Sequence, residues 1–181
     1  MRILPAAAAS LLLLTLLLLA AASLVGCRKR EAAPLLPDSY AGWERTTDLI
    51  LDYPVPGHES RGRRIFINPK GTEVTVKSDP GRVSWDYPKG SVIVKEIFAN
   101  LDIEDGERPI MLTAMIKDPD HPQARGGWLW VVKDLSAGSE QIIDWEFCVD
   151  CHANANEPHP YGDRNEDNEF RDYVFFPYRG P

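Results

Sequence analysis

The sequence predicts an α+β domain built mainly from an antiparallel β-sheet, with a few short helices packed on it. Several segments alternate between apolar and polar residues or are rich in β-branched side chains, which is typical of strands. Turn signals such as Asp79-Pro80-Gly81, Asp105-Gly106 and Gly126-Gly127 separate them, and no long helical pattern intervenes. Successive strands joined without long crossover helices favour antiparallel pairing.

The predicted strands cover residues 64–67, 73–77, 91–98, 110–117 and 128–133. One helix is predicted over 39–51, because Tyr40, Trp43 and Thr47 lie on one helical face and Asp38 or Ser39 is a suitable N-cap. The aromatic segment 170–178 is expected to dock on the core.

The amino-terminal 26 residues are predicted to lie outside this domain. Residues 6–25 are almost wholly apolar and end in Leu24-Val25-Gly26-Cys27, which resembles the lipobox of bacterial lipoproteins. We therefore interpret 1–26 as a lipoprotein signal peptide, Cys27 as the lipidated residue, 27–37 as a tether and 38–181 as the functional domain. The expected location is the periplasmic face of a membrane, held there by the lipid. An uncleaved anchor helix is the alternative, and the basic residues 28–30 would suit it too.

The charge balance argues against one class of partner. The chain has 20 basic and 27 acidic side chains and a formal net charge of −7. An acidic surface of this kind does not favour binding to nucleic acid.

The motif Cys148-x-x-Cys151-His152 near the carboxyl end has three interpretations. A structural zinc ion needs four ligands, and Cys151 and His152 are neighbours that rarely reach one small ion, even with His159 counted as the fourth. A redox dithiol is expected beside a βαβ pattern, which this sequence lacks. A covalently attached haem uses all three residues, because both thiols form thioethers and the histidine ligates iron. The motif therefore favours a single haem c.

The other side of the iron is expected to be open. Met111 and Met115 precede the motif, and no methionine follows His152. His159 is seven residues on, too near to reach the opposite haem face without a forced loop. A five-coordinate iron has room for a small-molecule substrate or a gas ligand.

The order of several motifs resembles the cytochrome P-460 family, which includes the cytochromes c′-beta. These are R-R-I-F-I-N-P at 63–69, K-G-S-V-I-V-K-E at 89–96, Gly127-Trp128, the haem motif, and D-Y-V-F at 172–175. The resemblance covers about residues 38–178. It implies a haem c enzyme that oxidises hydroxylamine and passes electrons to an acceptor cytochrome, and it also implies a homodimer. The alternative is a non-enzymatic c′-beta-type protein that binds nitric oxide or transfers electrons.

Lys95 is the residue on which these two functions differ. It lies between Ile93 and Ile97 in a strand that is apolar on both faces, where desolvation would lower its pKa and leave a nucleophilic amine. A lysine that extends its amine to solvent from a sheet edge is the alternative. The resemblance implies that this lysine is bonded to the porphyrin edge in the oxidases and not in their c′-beta relatives.

The resemblance also suggests residues on the open side of the iron. Arg63, or its neighbour Arg64, matches a distal arginine that would hold a polar ligand. Active members carry an acidic side chain shortly before the haem motif, where Asp144 and Glu146 lie. Both carboxylates are candidate proton acceptors, and both fit equally well as solvated loop charges.

The lipid on Cys27 can be tested directly. Cys27→Ser should block processing, so that the protein keeps its larger size on a denaturing gel, whereas the wild type should enter the detergent phase in a phase-partition assay. Cys148→Ser, which leaves the signal unchanged, should be processed normally. A wild-type protein released into the soluble periplasm would contradict the interpretation.

Overall fold

Eight strands in the described residues form two antiparallel sheets. The computed structural model describes residues 33–58, 61–144 and 146–180. Six strands form one sheet in the order β1-β2-β5-β6-β7-β8, and β3 and β4 form a separate hairpin. The strands are β1 Glu44–Arg45, β2 Arg63–Ile67, β3 Thr75–Asp79, β4 Arg82–Asp86, β5 Val92–Ile97, β6 Met111–Lys117, β7 Trp128–Asp134 and β8 Ser139–Ile142. The α-helix of the described chain is α1, Glu146–Ala153, and the 3-10 helices are Asp38–Gly42, Gly71–Glu73 and Asn154–Asn156.

The predicted fold class is confirmed as a mainly antiparallel sheet with one short α-helix in the described chain. Each of the five predicted strands is present, with ends within about two residues of those expected. Strands β1, β4 and β8 were not predicted. Only some of the residues in β4 and β8 are β-branched or aromatic, so their pairing partners define these two strands more than their own pattern does.

The helix predicted over 39–51 is wrong beyond its first turn. A 3-10 helix covers Asp38–Gly42 and is followed by the edge strand β1. Glu44 pairs with Ile67 and Arg45 with Phe66, and the Thr46 amide then donates to Ile65 at 3.1 Å. Backbone hydrogen bonds to β2 therefore replace those of a helix after Gly42, a poor helix former.

The outer face of the large sheet is covered by the start of the described chain. Leu36 is fully buried there with Val94, Leu112 and Val131, and the Leu35 amide donates to Glu140 at 2.6 Å. The last residues of the predicted tether are therefore part of the folded unit. The signal peptide and Cys27 lie outside the described residues. Within the described ranges, no helix is long and apolar enough to cross a membrane.

The inner face carries the larger core cluster, and the aromatic tail docks on it as predicted. Ile93, Met115, Trp128 and Trp130 come from three neighbouring strands, and Val174 of the tail packs among them with 3% exposure. The tail is also joined to β4, because the Trp85 amide donates to the Phe170 carbonyl at 2.8 Å. Tail and sheet therefore fold as one unit.

A buried ion pair fixes the turn of the tail against the sheet. Lys117 Nζ lies 2.6 Å from Asp172 Oδ2, and the two side chains are 13% and 8% exposed. Trp128 Nε1 donates to the Asp172 carbonyl at 3.0 Å. Burial is the largest influence on Asp172 and raises the pKa of its carboxyl, which the Lys117 ammonium opposes.

Asp172→Ala should destabilise the protein by about 3 kcal/mol, since it leaves the buried Lys117 ammonium without its partner. Urea unfolding of the haem-loaded protein measures this loss. The matched control is Asp86→Ala, which breaks the exposed Lys77–Asp86 pair and should change the unfolding midpoint much less. Equal losses in the two variants would show that burial does not set the strength of the pair.

Candidate haem site

A cavity of about 620 Å³ lies on the inner face of the large sheet. Strands β2, β5, β6 and β7 form its floor, and α1, the tail and the loop that precedes β2 enclose it. Its walls are mostly apolar. The size and the lining are those of a site for a large planar cofactor or a drug-sized ligand.

Helix α1 presents the haem motif to this cavity. Cys151 and His152 follow Cys148 by three and four residues, which places their side chains on the same side of the helix as that of Cys148. All three side chains line the cavity. Both cysteines are free thiols. Burial raises the pKa of each thiol, and the Lys95 ammonium opposes this shift. Two free thiols and a histidine on one wall fit the attachment of a haem.

A backbone carbonyl of the tail sets the tautomer of His152. The imidazole Nδ1 lies 2.9 Å from the Tyr173 carbonyl oxygen, which can only accept a hydrogen bond. Nδ1 therefore carries the proton, and the lone pair of Nε2 is left for a metal. Burial lowers the pKa of His152 to about 3, so the ring is neutral, as a ligand must be. Trp130 and Phe175 hold the ring by edge contacts, with centroids 4.8 and 5.3 Å away.

Lys95 faces the same cavity from the central strand β5. It pairs with Ile65 of β2 and Thr113 of β6, so its side chain points to the inner face with theirs. Burial, followed by the positive charge of Arg63, lowers the pKa of Lys95 to about 8. The partial exposure of the residue is toward the cavity that it lines. Its amine is desolvated, and Lys95 lines the same cavity as the haem motif.

Arg63 rather than Arg64 lines the cavity. Arg63 is 3% exposed, donates from Nε to the Leu51 carbonyl at 3.1 Å and also donates to the Tyr53 carbonyl. Burial lowers its pKa. Strand alternation sends Arg64 to the outer face, where its guanidinium lies 4.9 Å from the centre of the Phe98 ring.

The structure does not bring Asp144 or Glu146 to the cavity. Asp144 is half exposed and pairs with Arg125 at 2.8 Å, and Glu146 is the exposed first residue of α1. Among the described residues, no aspartate or glutamate lines the cavity. Their nearness to the motif in sequence does not carry them inside, because the cysteines and His152 occupy the inward face of α1.

Two methionines of β6 also line the cavity. Met115 is buried against Ile93 and Trp130, and Met111 is partly exposed at the start of the strand. A thioether can ligate haem iron. An open sixth position therefore remains a prediction.

His58 is a cavity residue that the sequence analysis missed. Its Nε2 lies 2.8 Å from Lys95 Nζ. Burial, then the charges of Lys95 and Arg63, lowers its pKa to about 3. The only available signal was a lone histidine in a loop rich in proline and glycine, and such loops have no periodicity that says which way a side chain points.

The geometry does not favour the zinc interpretation. Within the part of the chain that the structure describes, no three histidine, cysteine or acidic side chains are grouped closely enough to hold a metal ion. His159, the fourth ligand considered, instead packs edge-on against Phe175, which separates it from His152.

A sheet-floored cavity with two thiols and a neutral histidine on one wall defines a haem-binding β-protein. The family model described as Cytochrome P460 matches residues 37–176, most of the chain. The chain belongs to the cytochrome P460 family, and it is a haem cytochrome. A comparison with curated proteins gave no match.

Proposed function

We propose that this cytochrome oxidises hydroxylamine at a single haem c whose porphyrin edge is bonded to Lys95. The observation that carries the proposal is the position of Lys95. Its desolvated amine lines the same cavity as Cys148, Cys151 and His152. Burying a lysine amine without an opposite charge beside it costs free energy of folding. A lysine at such a place therefore indicates a function.

Three side chains of α1 would hold the cofactor. Cys148 and Cys151 would supply the sulfurs of two thioether bonds, and His152 would supply Nε2 to the iron, with its Nδ1 proton held by the Tyr173 carbonyl. The bound haem supplies the redox centre that accepts the electrons of the substrate. Because the thiols and the ring belong to one helical face, one docking step brings all three to the haem.

Arg63 supports binding of a small polar substrate in the cavity that it lines. Its guanidinium is buried and is held by two backbone carbonyls, so its direction is fixed before a ligand arrives. Remaining N–H groups can donate to the oxygen or nitrogen of a small ligand. The electrons then leave for an acceptor cytochrome. A lipid on Cys27 would hold the protein at the periplasmic face, and a homodimer is the proposed assembly.

A non-enzymatic nitric oxide-binding or electron-transfer role of the c′-beta type is the second candidate. One observation favours it: no carboxylate of the described chain lines the cavity. Oxidation of hydroxylamine releases protons and needs an acceptor for them, whereas binding of nitric oxide does not. The cross-link to Lys95 distinguishes the two roles.

In the Lys95→Leu background, Cys148→Ala and Cys151→Ala should each weaken haem staining on a denaturing gel, and the double cysteine variant should abolish it, because no covalent bond to the haem then remains. Cys27→Ser serves as the control for loss of a cysteine outside the sequence motif and should keep full staining. Full staining of the double cysteine variant in this background would exclude attachment through Cys148 and Cys151.

Lys95→Leu should keep the haem, because the cysteines and His152 are unchanged. It should move the red-shifted ferrous Soret band of the wild type toward that of a simple c-type cytochrome, abolish hydroxylamine oxidation and leave nitric oxide binding intact. Stability should not fall, since leucine removes a desolvated amine from an apolar wall. Lys89→Leu is the control, because Lys89 is exposed and pairs with Asp118 and Asp120. A spectrum that Lys95→Leu leaves unchanged would reject the oxidase function.

A further inference from the structure

His58 and Lys95 form a direct nitrogen-to-nitrogen contact inside the cavity. The distance from Lys95 Nζ to His58 Nε2 is 2.8 Å. A lysine ammonium has three donors and no acceptor, so His58 Nε2 must accept the hydrogen bond and Nδ1 must carry the ring proton. The neutral ring that this requires is favoured by burial and by the neighbouring positive charges.

The backbone of the preceding loop fixes the position of His58. The His58 amide donates to the Val55 carbonyl at 2.9 Å and closes a turn. Gly57 has a φ of +80°, and a Cβ at this position would lie 3.3 Å from Phe147 of α1. The turn therefore packs against the helix that carries the haem motif. Loop and helix together aim the imidazole at Lys95.

Within the described ranges, no acidic side chain lines the cavity beside Lys95 to hold it. The charged side chains, histidines and cysteines that act on it or contact it there are Arg63 of β2, His152 and the two cysteines of α1, and His58. A lysine side chain has about 2 kcal/mol of rotamer entropy to lose on being fixed. The hydrogen bond to His58 is the polar contact that opposes this cost.

We propose that His58 is a positioning residue that holds the Lys95 amine on the haem-motif side of the cavity and thereby promotes its bond to the porphyrin. This inference rests on the cross-link of the proposed function. The new N–C bond replaces one N–H bond of Lys95 and one C–H bond of the ring. Two electrons and two protons pass to an oxidant of the peroxide class, which is reduced to two water molecules.

Three His58 variants of the full haem-loaded protein test the role. His58→Phe keeps the volume of a ring but cannot accept a hydrogen bond, His58→Leu is a second apolar replacement, and His58→Gln keeps an acceptor oxygen. The measured quantity is the fraction of protein in which the peptide containing Lys95 is joined to the haem peptide, obtained by mass spectrometry after proteolysis.

His58→Phe and His58→Leu should lower the cross-linked fraction about tenfold, as expected for loss of a hydrogen bond to a charged group, and His58→Gln should retain most of it. His121→Leu is the control, because His121 lies in a surface loop outside the cavity. An unchanged fraction in His58→Phe overturns the proposal. So does an equal loss in His58→Gln and His58→Phe, which would indicate a merely structural role. Haem staining and circular dichroism confirm that each variant folds.

Absence of the cross-link in the wild-type protein would reject the oxidase function. The positioning role of His58 would then be tested by a separate measurement. In that case Lys95 carries a free amine, and its acylation by an amine-selective reagent can be followed by mass spectrometry. His58→Phe should then increase the rate of Lys95 acylation severalfold while His58→Gln does not. Equal rates in wild type and His58→Phe would overturn the proposal in this case too.

Discussion

Burial of strand β5 on both faces is the constraint on which the rest of the structure depends. Val94 packs into the outer cluster with Leu36, and Ile93 packs into the inner cluster with Met115. A strand in this position is shielded from water on both sides. Lys95, which points inward from it, therefore loses most of its hydration. The low pKa of Lys95, about 8, follows first from this burial and then from the positive charge of Arg63. The contact with His58 then determines where the amine points.

Stability and the candidate haem ligand are joined through the turn of the tail. The residues of helix α1 are at most partly buried, and contacts such as those of Cys148 and Val149 with the inner core cluster orient it. Asp172 is fixed by Lys117 and Trp128, and the carbonyl of the next residue, Tyr173, orients His152. A pair that stabilises the fold therefore also sets which nitrogen of the histidine faces the cavity. A displaced turn would disturb both properties together.

The sequence predicted the parts of the fold that depend on local pattern and missed those that depend on distant partners. β5, β6 and β7 were recognisable because each is rich in β-branched or large apolar residues. The helix at 39–51 was wrong because pairing of Glu44 with Ile67 overrides local propensity. The haem motif was recognisable from spacing alone. His58 was not, because a contact across 37 residues leaves no trace in either segment. Asp144 was placed by nearness in sequence, which says nothing about the direction of a side chain.

The nitrogen-bearing side chains of the cavity limit which groups there can accept a proton. Arg63 and a protonated Lys95 can only donate hydrogen bonds, and the acceptor nitrogen of His58 is occupied by Lys95. The positive charge of Lys95 is also one cause, after burial, of the low pKa of His58. Conversion of Lys95 to an uncharged amine bonded to the porphyrin would remove that charge and raise the pKa of His58, although burial and the charge of Arg63 would still hold it below its ordinary value. Cross-linking would thereby make the imidazole a better proton acceptor, in a cavity whose described lining contains no carboxylate. Hydroxylamine oxidation needs a proton acceptor, so the covalent bond to Lys95 would help to supply one.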